Sequence, residues 1–227
     1  MAPQRNSPSR RKAEPRRQHP QRTAKTKMAI LQAGADVFGR VGYAGTRVED
    51  ILAAAHVSRP TFYRFFANKD EVFLTLNEMA ALNLVQLLRS SLQSNTGALE
   101  KVAAGIEAFF RWLAATGPLA SVMMLEGNRP GSLLAPAREN TDRMLLEILS
   151  GEIRQIRGYD PDPVMITGLL GAMEVIGHQL LRQTPHLTEK HIERGKRIAL
   201  RIFLGALHDG IASLPPVPLA SRPLAKL

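Results

Sequence analysis

From Met28 onward the apolar positions recur every three or four residues, the period of an amphipathic α-helix. Ile30, Gly34, Val37, Phe38 and Val41 share one face and predict a first helix over roughly residues 24–41, with Gly42 ending it in the left-handed conformation. Thr46 reads as the N-cap of a short second helix over about 47–55, with Glu49 completing a capping box. The apolar face of that helix is Val48, Ile51, Leu52 and Ala55. Ser58 is a second N-cap, followed by Pro60 in a first turn that tolerates proline. The third helix is short and aromatic, with Phe62, Tyr63, Phe65 and Phe66, and Asn68 caps a longer fourth one.

Beyond about residue 96 the helices lengthen. They are expected near 98–115, 119–126, 134–157, 162–183 and 188–212, separated by Gly/Pro breaks such as Gly117-Pro118 and Thr184-Pro185. No stretch alternates with period two, so the fold is expected to be all-α. Val164–Leu181 is the most apolar run, but Glu174, His178 and three glycines interrupt it. About 20 nearly uncharged residues are needed to cross a bilayer, so a soluble protein is expected.

Charge changes this picture at one end. The chain has 227 residues, 30 Lys+Arg and 20 Asp+Glu, a formal net charge of +10. Nine basic groups and one acidic group lie in residues 1–27, so eight of the ten net charges are there. With Pro3, Pro8, Pro15 and Pro20 and no apolar period, residues 1–22 read as a disordered basic arm. They do not read as a signal peptide, since no apolar stretch follows at a suitable distance. Residues 28–88 are almost neutral, with five basic groups against six acidic. The excess points to a polyanionic partner. Cysteine is absent, which excludes a disulfide scaffold, a thiolate nucleophile and Cys-ligated metal centres, and fits a cytoplasmic location.

Helix, tight turn and short helix over residues 47–66 form a helix-turn-helix pattern, whose second helix enters the major groove of DNA. The small Ala55 suits a close helix crossing, His56 occupies a position that calls for positive φ, and Val57 fills the angle between helices. Residues 23–76 resemble the TetR family of transcriptional regulators. The matching positions are Ile30-Leu31, Ala33, Phe38, Gly42-Tyr43, Thr46, Val48, Asp50-Ile51, Ala55, Val57-Ser58, Thr61, Tyr63, Phe66, Asn68-Lys69 and Glu71. His56 stands where the family has a turn glycine, and Pro60 where it commonly has another glycine. Base preferences therefore do not carry over.

Side-chain chemistry assigns the candidate roles. Thr46 and Ser58 lie at helix N-termini, where hydroxyls and free N–H groups bind phosphate oxygens or simply cap the helix. Arg47, Tyr63 and Lys69 resemble family positions that clamp the DNA backbone, although Tyr63 also fits an aromatic core. Arg59, Thr61 and Arg64 are the candidates for base edges. Phe62 is either a contact to a thymine methyl or core.

Four parts are expected: the arm (1–22), a DNA-binding domain (23–83) and a helical effector and dimerisation domain (84–213), both implied by the resemblance, and a flexible tail (214–227) that holds Pro215, Pro216, Pro218 and Pro223. It implies a homodimer through the last two long helices, a pseudo-palindromic double-stranded operator, and a small-molecule effector. Candidate effector contacts are Phe109, Trp112, Met123, Glu126, Met173, Glu174 and His178, because Met and aromatic linings suit hydrophobic ligands. Glu174 and His178, four apart on one helix, have three readings: a ligand's polar group, each other, or a dimer interface. No spacing supports a metal site or a bound cofactor. No nucleophile elbow, P-loop, HExxH or dinucleotide fingerprint is present, so an enzyme is not expected. The expected function is that of a dimeric repressor released from its operator by a ligand. The alternative is nonspecific or architectural DNA binding through the arm.

Overall fold

The computed structural model describes residues 20–207, and all regular structure among them is α-helical. Residues 1–19 of the expected arm and the expected tail lie outside the described residues. The helices are α1 (Pro20–Gly45), α2 (Val48–Ala55), α3 (Arg59–Tyr63), α4 (Lys69–Gln93), α5 (Ala98–Thr116), α6 (Pro118–Gly127), α7 (Ala135–Arg157), α8 (Pro163–Gln183) and α9 (Glu189–Leu207).

α1 starts at Pro20, inside the bounds expected for the arm, and runs on past Gly42 to Gly45. Gly42 does break the regular helix, but at φ 75° and ψ 170°, an extended rather than a left-handed αL conformation. Asn68 caps α4 as expected, its Oδ1 accepting from the Glu71 N–H at 2.9 Å. α4 then continues without a break across residue 83, so the two expected domains share one helix.

Three cores form along the chain, the smallest joining Val85, Leu88 and Leu92 of α4 to Leu145 of α7. In the first, Ile30, Phe38, Ile51, Phe62, Phe66, Val72 and Phe73 are buried together, and Leu119, Met123 and Leu134 from α6 and the α6–α7 connection join them. The second lies among α5, α6, α8 and α9, around Phe110, Trp112, Leu113, Leu169, Leu180 and Phe203. Gly117 is the reason α6 reaches the first core. At φ 63° and ψ −146° it adopts a conformation nearly confined to glycine, and the chain bends by 108° between α5 and α6 there.

α8 is long and apolar enough to cross a membrane by length and composition alone. It is not buried on all sides, as its composition implies. Ile166, Leu169, Met173, Gly177 and Leu180 face inward, whereas Val164 (77% exposed) and Val175 (63% exposed) face outward. α9 behaves alike: Ile192, Ala199 and Phe203 are buried, while Ile198, Ile202 and Leu204 are exposed. One apolar stripe of α9, Ile198 and Ile202, thus lies on the outside.

Candidate DNA-binding surface and effector cavity

The turn between α2 and α3 is set by His56, at φ 53° and ψ 41° the sole non-glycine residue with positive φ among the described residues. Its N–H and that of Val57 close on the carbonyls of Ala53 and Leu52. Ser58 caps α3, its Oγ accepting from the Thr61 N–H at 3.4 Å and lying 2.8 Å from Thr61 Oγ1. Burial of Phe62 and Phe66 anchors α3 from below, which assigns Phe62 to the core. Ser58, Arg59, Tyr63 and Arg64 remain at the surface. Tyr63 is 47% exposed and sits edge-on to the Phe62 ring. Arg59 forms an exposed ion pair with Glu49 of α2. Such a pair is weak, so it presents little obstacle to a base contact. The Arg64 guanidinium lies over the Phe65 ring at 4.7 Å.

Two of the expected caps shift. Thr46 is only 2% exposed, and its hydroxyl donates to the Gly42 carbonyl at 2.7 Å. It closes the turn after α1 instead of capping α2, and this removes its side chain from the surface. The N-cap is the exposed Arg47, whose N–H donates to Asp50 Oδ2 at 2.8 Å. The acidic partner is therefore Asp50, not Glu49.

Lys69 has a structural task. Its Nζ donates to the carbonyls of Tyr43 and Thr46, both at 2.8 Å, and stands 4.5 Å from the centre of the Tyr43 ring. The Tyr43 hydroxyl donates to Asp70 Oδ1 at 2.8 Å. Burial first, then the hydrogen bond and charge of Asp70 and the charge of Glu126, push the phenol up to about 12. This clasp ties the α1–α2 turn to the start of α4. Glu126 contributes to it from α6 and pairs with Arg129 at 2.8 Å. It lines none of the cavities described below.

Two adjoining cavities, each of about 80 Å³, lie among α4, α5, α6, α7, α8 and α9, with Leu84, Phe109, Leu145, Leu170 and Met173 in the walls of both. The first is walled by apolar atoms, including Leu88, Ile106, Ile166 and Phe203, with Lys101 and Glu152 at its border. Trp112, Met123, Leu134, Arg138, Asp142 and Glu174 line the second. Phe109, Trp112, Met123, Met173 and Glu174 are thus brought together, and the Trp112 indole N–H is already satisfied by the Ala80 carbonyl at 2.8 Å.

Glu174 and His178 do not meet. Glu174 binds Arg138 at 2.6 Å, and Arg138 in turn donates to Asp142 at 2.8 Å. His178 Nδ1 lies 2.6 Å from Ser121 Oγ, beside an outer cleft that also includes Arg138 and Glu174. Arg138, absent from the expected set, is the one cation on the wall of the second cavity. Nothing in its local sequence marks it, because its partner Glu174 is one helix away. No group of three or more His, Asp or Glu residues suited to a metal ion occurs among the described residues.

The sequence model for bacterial regulatory proteins of the tetR family matches residues 30–76. The transcriptional activator FasR of Mycolicibacterium smegmatis is 32% identical over 84 residues, which are 37% of this chain and 38% of that protein. The chain therefore matches well under half the length of this relative. Among solved structures, the fatty acid degradation regulator FadR from Bacillus halodurans superposes with a TM-score of 0.69 at 22% identity, covering 81% of this chain and 96% of that one. FadR from Bacillus subtilis, in complex with stearoyl-CoA, gives a TM-score of 0.67 at 21% identity, with 80% and 99% coverage. At such identities the likeness is one of fold. The family's sequence model thus lies over the helix-turn-helix built on residues 47–66, and over residues 30–76 the chain is similar to bacterial regulatory proteins of the tetR family.

Proposed function

We propose that this protein is a dimeric, sequence-specific regulator of transcription, a repressor whose hold on its operator is released by a long fatty acyl ligand. The carrying observation for DNA binding is α3, anchored by Phe62 and Phe66 and presenting Ser58, Arg59, Thr61, Tyr63 and Arg64. Arg47 and the remaining proton of Lys69 add backbone contacts beside it. Residues 23–83 serve as the reading unit and 84–213 as the sensing and pairing unit, in the cytoplasm. The arm supplies sequence-independent attraction through its charge.

The acyl reading rests on the apolar cavities and on the names of similar proteins: a fatty acid degradation regulator, and a regulator bound to stearoyl-CoA. The chain's tail lies in the first cavity and its polar end beside Arg138. Met123 and Leu134 give the release mechanism, because they belong both to the cavity wall and to the core of the DNA-binding unit. A ligand that moves them favours an arrangement of α1 and α6 different from the DNA-bound one. Pairing uses the outward stripe Val164, Gly168, Gly171 and Val175 of α8, with Ile198 and Ile202 of α9.

A gel shift tests this. The protein is expected to bind DNA from its own upstream region far better than random DNA at moderate salt, and to let go on addition of stearoyl-CoA. Tyr63→Phe is expected to lower operator affinity about tenfold by removing a charge-assisted phosphate contact, without changing the melting temperature. Equal binding of both DNAs would instead support attraction by the arm alone.

A further inference from the structure

The two cavities end differently. One reaches the charged cluster of Arg138, and the other stops at an ion pair, Lys101 Nζ to Glu152 Oε2 at 2.6 Å, with both side chains largely covered (17% and 23% exposed). The stems of this pair join an otherwise apolar wall, and the pair ties α5 to α7 across it. α7 runs the whole way between the two ends, contributing Arg138, Asp142, Leu145, Leu149 and Glu152. Fourteen residues of helix from Arg138 to Glu152 span about 21 Å at 1.5 Å per residue. An extended alkyl chain advances about 1.25 Å per carbon, given C–C bonds of about 1.5 Å, so the path accommodates about 16 carbons.

We propose that the Lys101–Glu152 pair is the end stop of the ligand channel and sets the longest acyl chain the protein accepts. This rests on the acyl-ligand reading above. Passing the stop would separate two partly buried charges and leave each without its partner, which disfavours longer chains. Gly105, one turn after Lys101 on α5, keeps the channel open just before the stop. A Cβ there would lie 3.3 Å from Leu88 Cδ1 and 3.8 Å from Leu92 Cδ2, both on the cavity wall. Glycine lowers helix stability at this interior position, and because Gly105 lines the cavity and Leu88 leaves little room beside it, a larger side chain there must displace Leu88 or enter the channel.

The test is binding of saturated acyl-coenzyme A esters, stepped by two carbons from medium to very long chains, to the full-length protein and its variants. For the unaltered protein, affinity is expected to rise about tenfold per two carbons while the chain stays buried, and then to stop rising near the length of the channel. In the double variant Lys101→Ala/Glu152→Ala the rise is expected to continue by at least one further step. Gly105→Leu is expected to stop it one step or more earlier, and Gly105→Ala to shift it less in the same direction. Circular dichroism and a thermal melt establish that each variant is folded. If Gly105→Leu is not, the smaller Gly105→Ala carries that arm of the test. One stopping length shared by the unaltered protein and all folded variants would overturn the end-stop assignment while leaving the acyl reading intact. Failure of the unaltered protein to bind any ester would overturn the acyl reading, and the end stop with it.

Discussion

The DNA-binding unit and the effector unit are both helical, yet they hold their functions in opposite ways. Around α3 the caps join neighbours close in sequence: the Ser58 hydroxyl to Thr61, the Asp50 carboxylate to the Arg47 N–H, and the Asn68 side chain to the Glu71 N–H. The function there consists of groups that are present and fixed. Around Met173 the function consists of space, bounded by residues from six helices. A rigid motif has to place donors within a few tenths of an ångström of a phosphate or a base edge. A cavity has only to exclude water and match a length.

Removing atoms should therefore affect the two units unequally. Phe62 is fully buried, at the centre of a core that also holds α2 and α4 in place. Phe62→Ala is expected to destabilise the protein by about 3–5 kcal/mol, the usual range for such truncations, and to abolish operator binding. Met173 is almost as buried, but it already borders open volume on one side. Met173→Ala is expected to cost about 2 kcal/mol, the low end of its range, because fewer contacts are lost. Urea titrations of both variants measure the difference. Equal losses would mean that the cavity is closed in solution, and the comparison would collapse.

The same contrast governs what the sequence reveals. The positive φ of His56 and the caps at Ser58 and Asn68 are consequences of residues no more than a few positions apart. Thr46 misleads because its hydroxyl has two acceptable local partners. It turns back to the Gly42 carbonyl, and the cap moves on by one residue. In the second unit, composition identifies Phe109, Met123 and Met173 as wall residues, since aromatic and thioether side chains suit such a lining. It misplaces Glu126, whose carboxylate faces Arg129 and influences the Tyr43 clasp. Arg138, Lys101 and Glu152 are invisible along the chain. Lys101 and Glu152 are 51 positions apart, and only the placing of α5 and α7 on opposite sides of the cavity joins them. The α9 stripe is legible as apolar, but periodicity alone does not say which of two apolar faces points inward.

Local strain offers a smaller test within the first unit. An αL conformation costs a non-glycine residue roughly 1–2 kcal/mol, and glycine gives back part of that through a more flexible unfolded chain. His56→Gly is expected to stabilise the protein by up to about 1 kcal/mol, with operator preference unchanged. A thermal melt measures the first and a gel shift the second. Destabilisation would show that the imidazole contributes to the turn beyond its backbone angle, and the first unit would then depend on more than local geometry.

The smallest effect belongs to the second unit, at the clasp between α5 and α9. Glu107 accepts from Lys196 Nζ at 2.6 Å and from Arg111 Nε at 2.8 Å. The Lys196 hydrogen bond above all, then that of Arg111, holds its carboxyl below the ordinary carboxylate range. A carboxylate with a lowered folded-state value contributes stability above its unfolded value and loses it as pH falls through the folded one. The clasp should thus be fully present at neutral pH and weaken once the solution becomes more acidic than about pH 4. Because the pair is partly exposed, Glu107→Gln is expected to cost no more than about 1 kcal/mol near neutral pH, and less near pH 3. Urea midpoints of both proteins at the two pH values measure this. A difference that persists undiminished in acid would mean that the glutamate acts through packing against α9 and not through its charge, and that the wall of the cavity is held by shape alone.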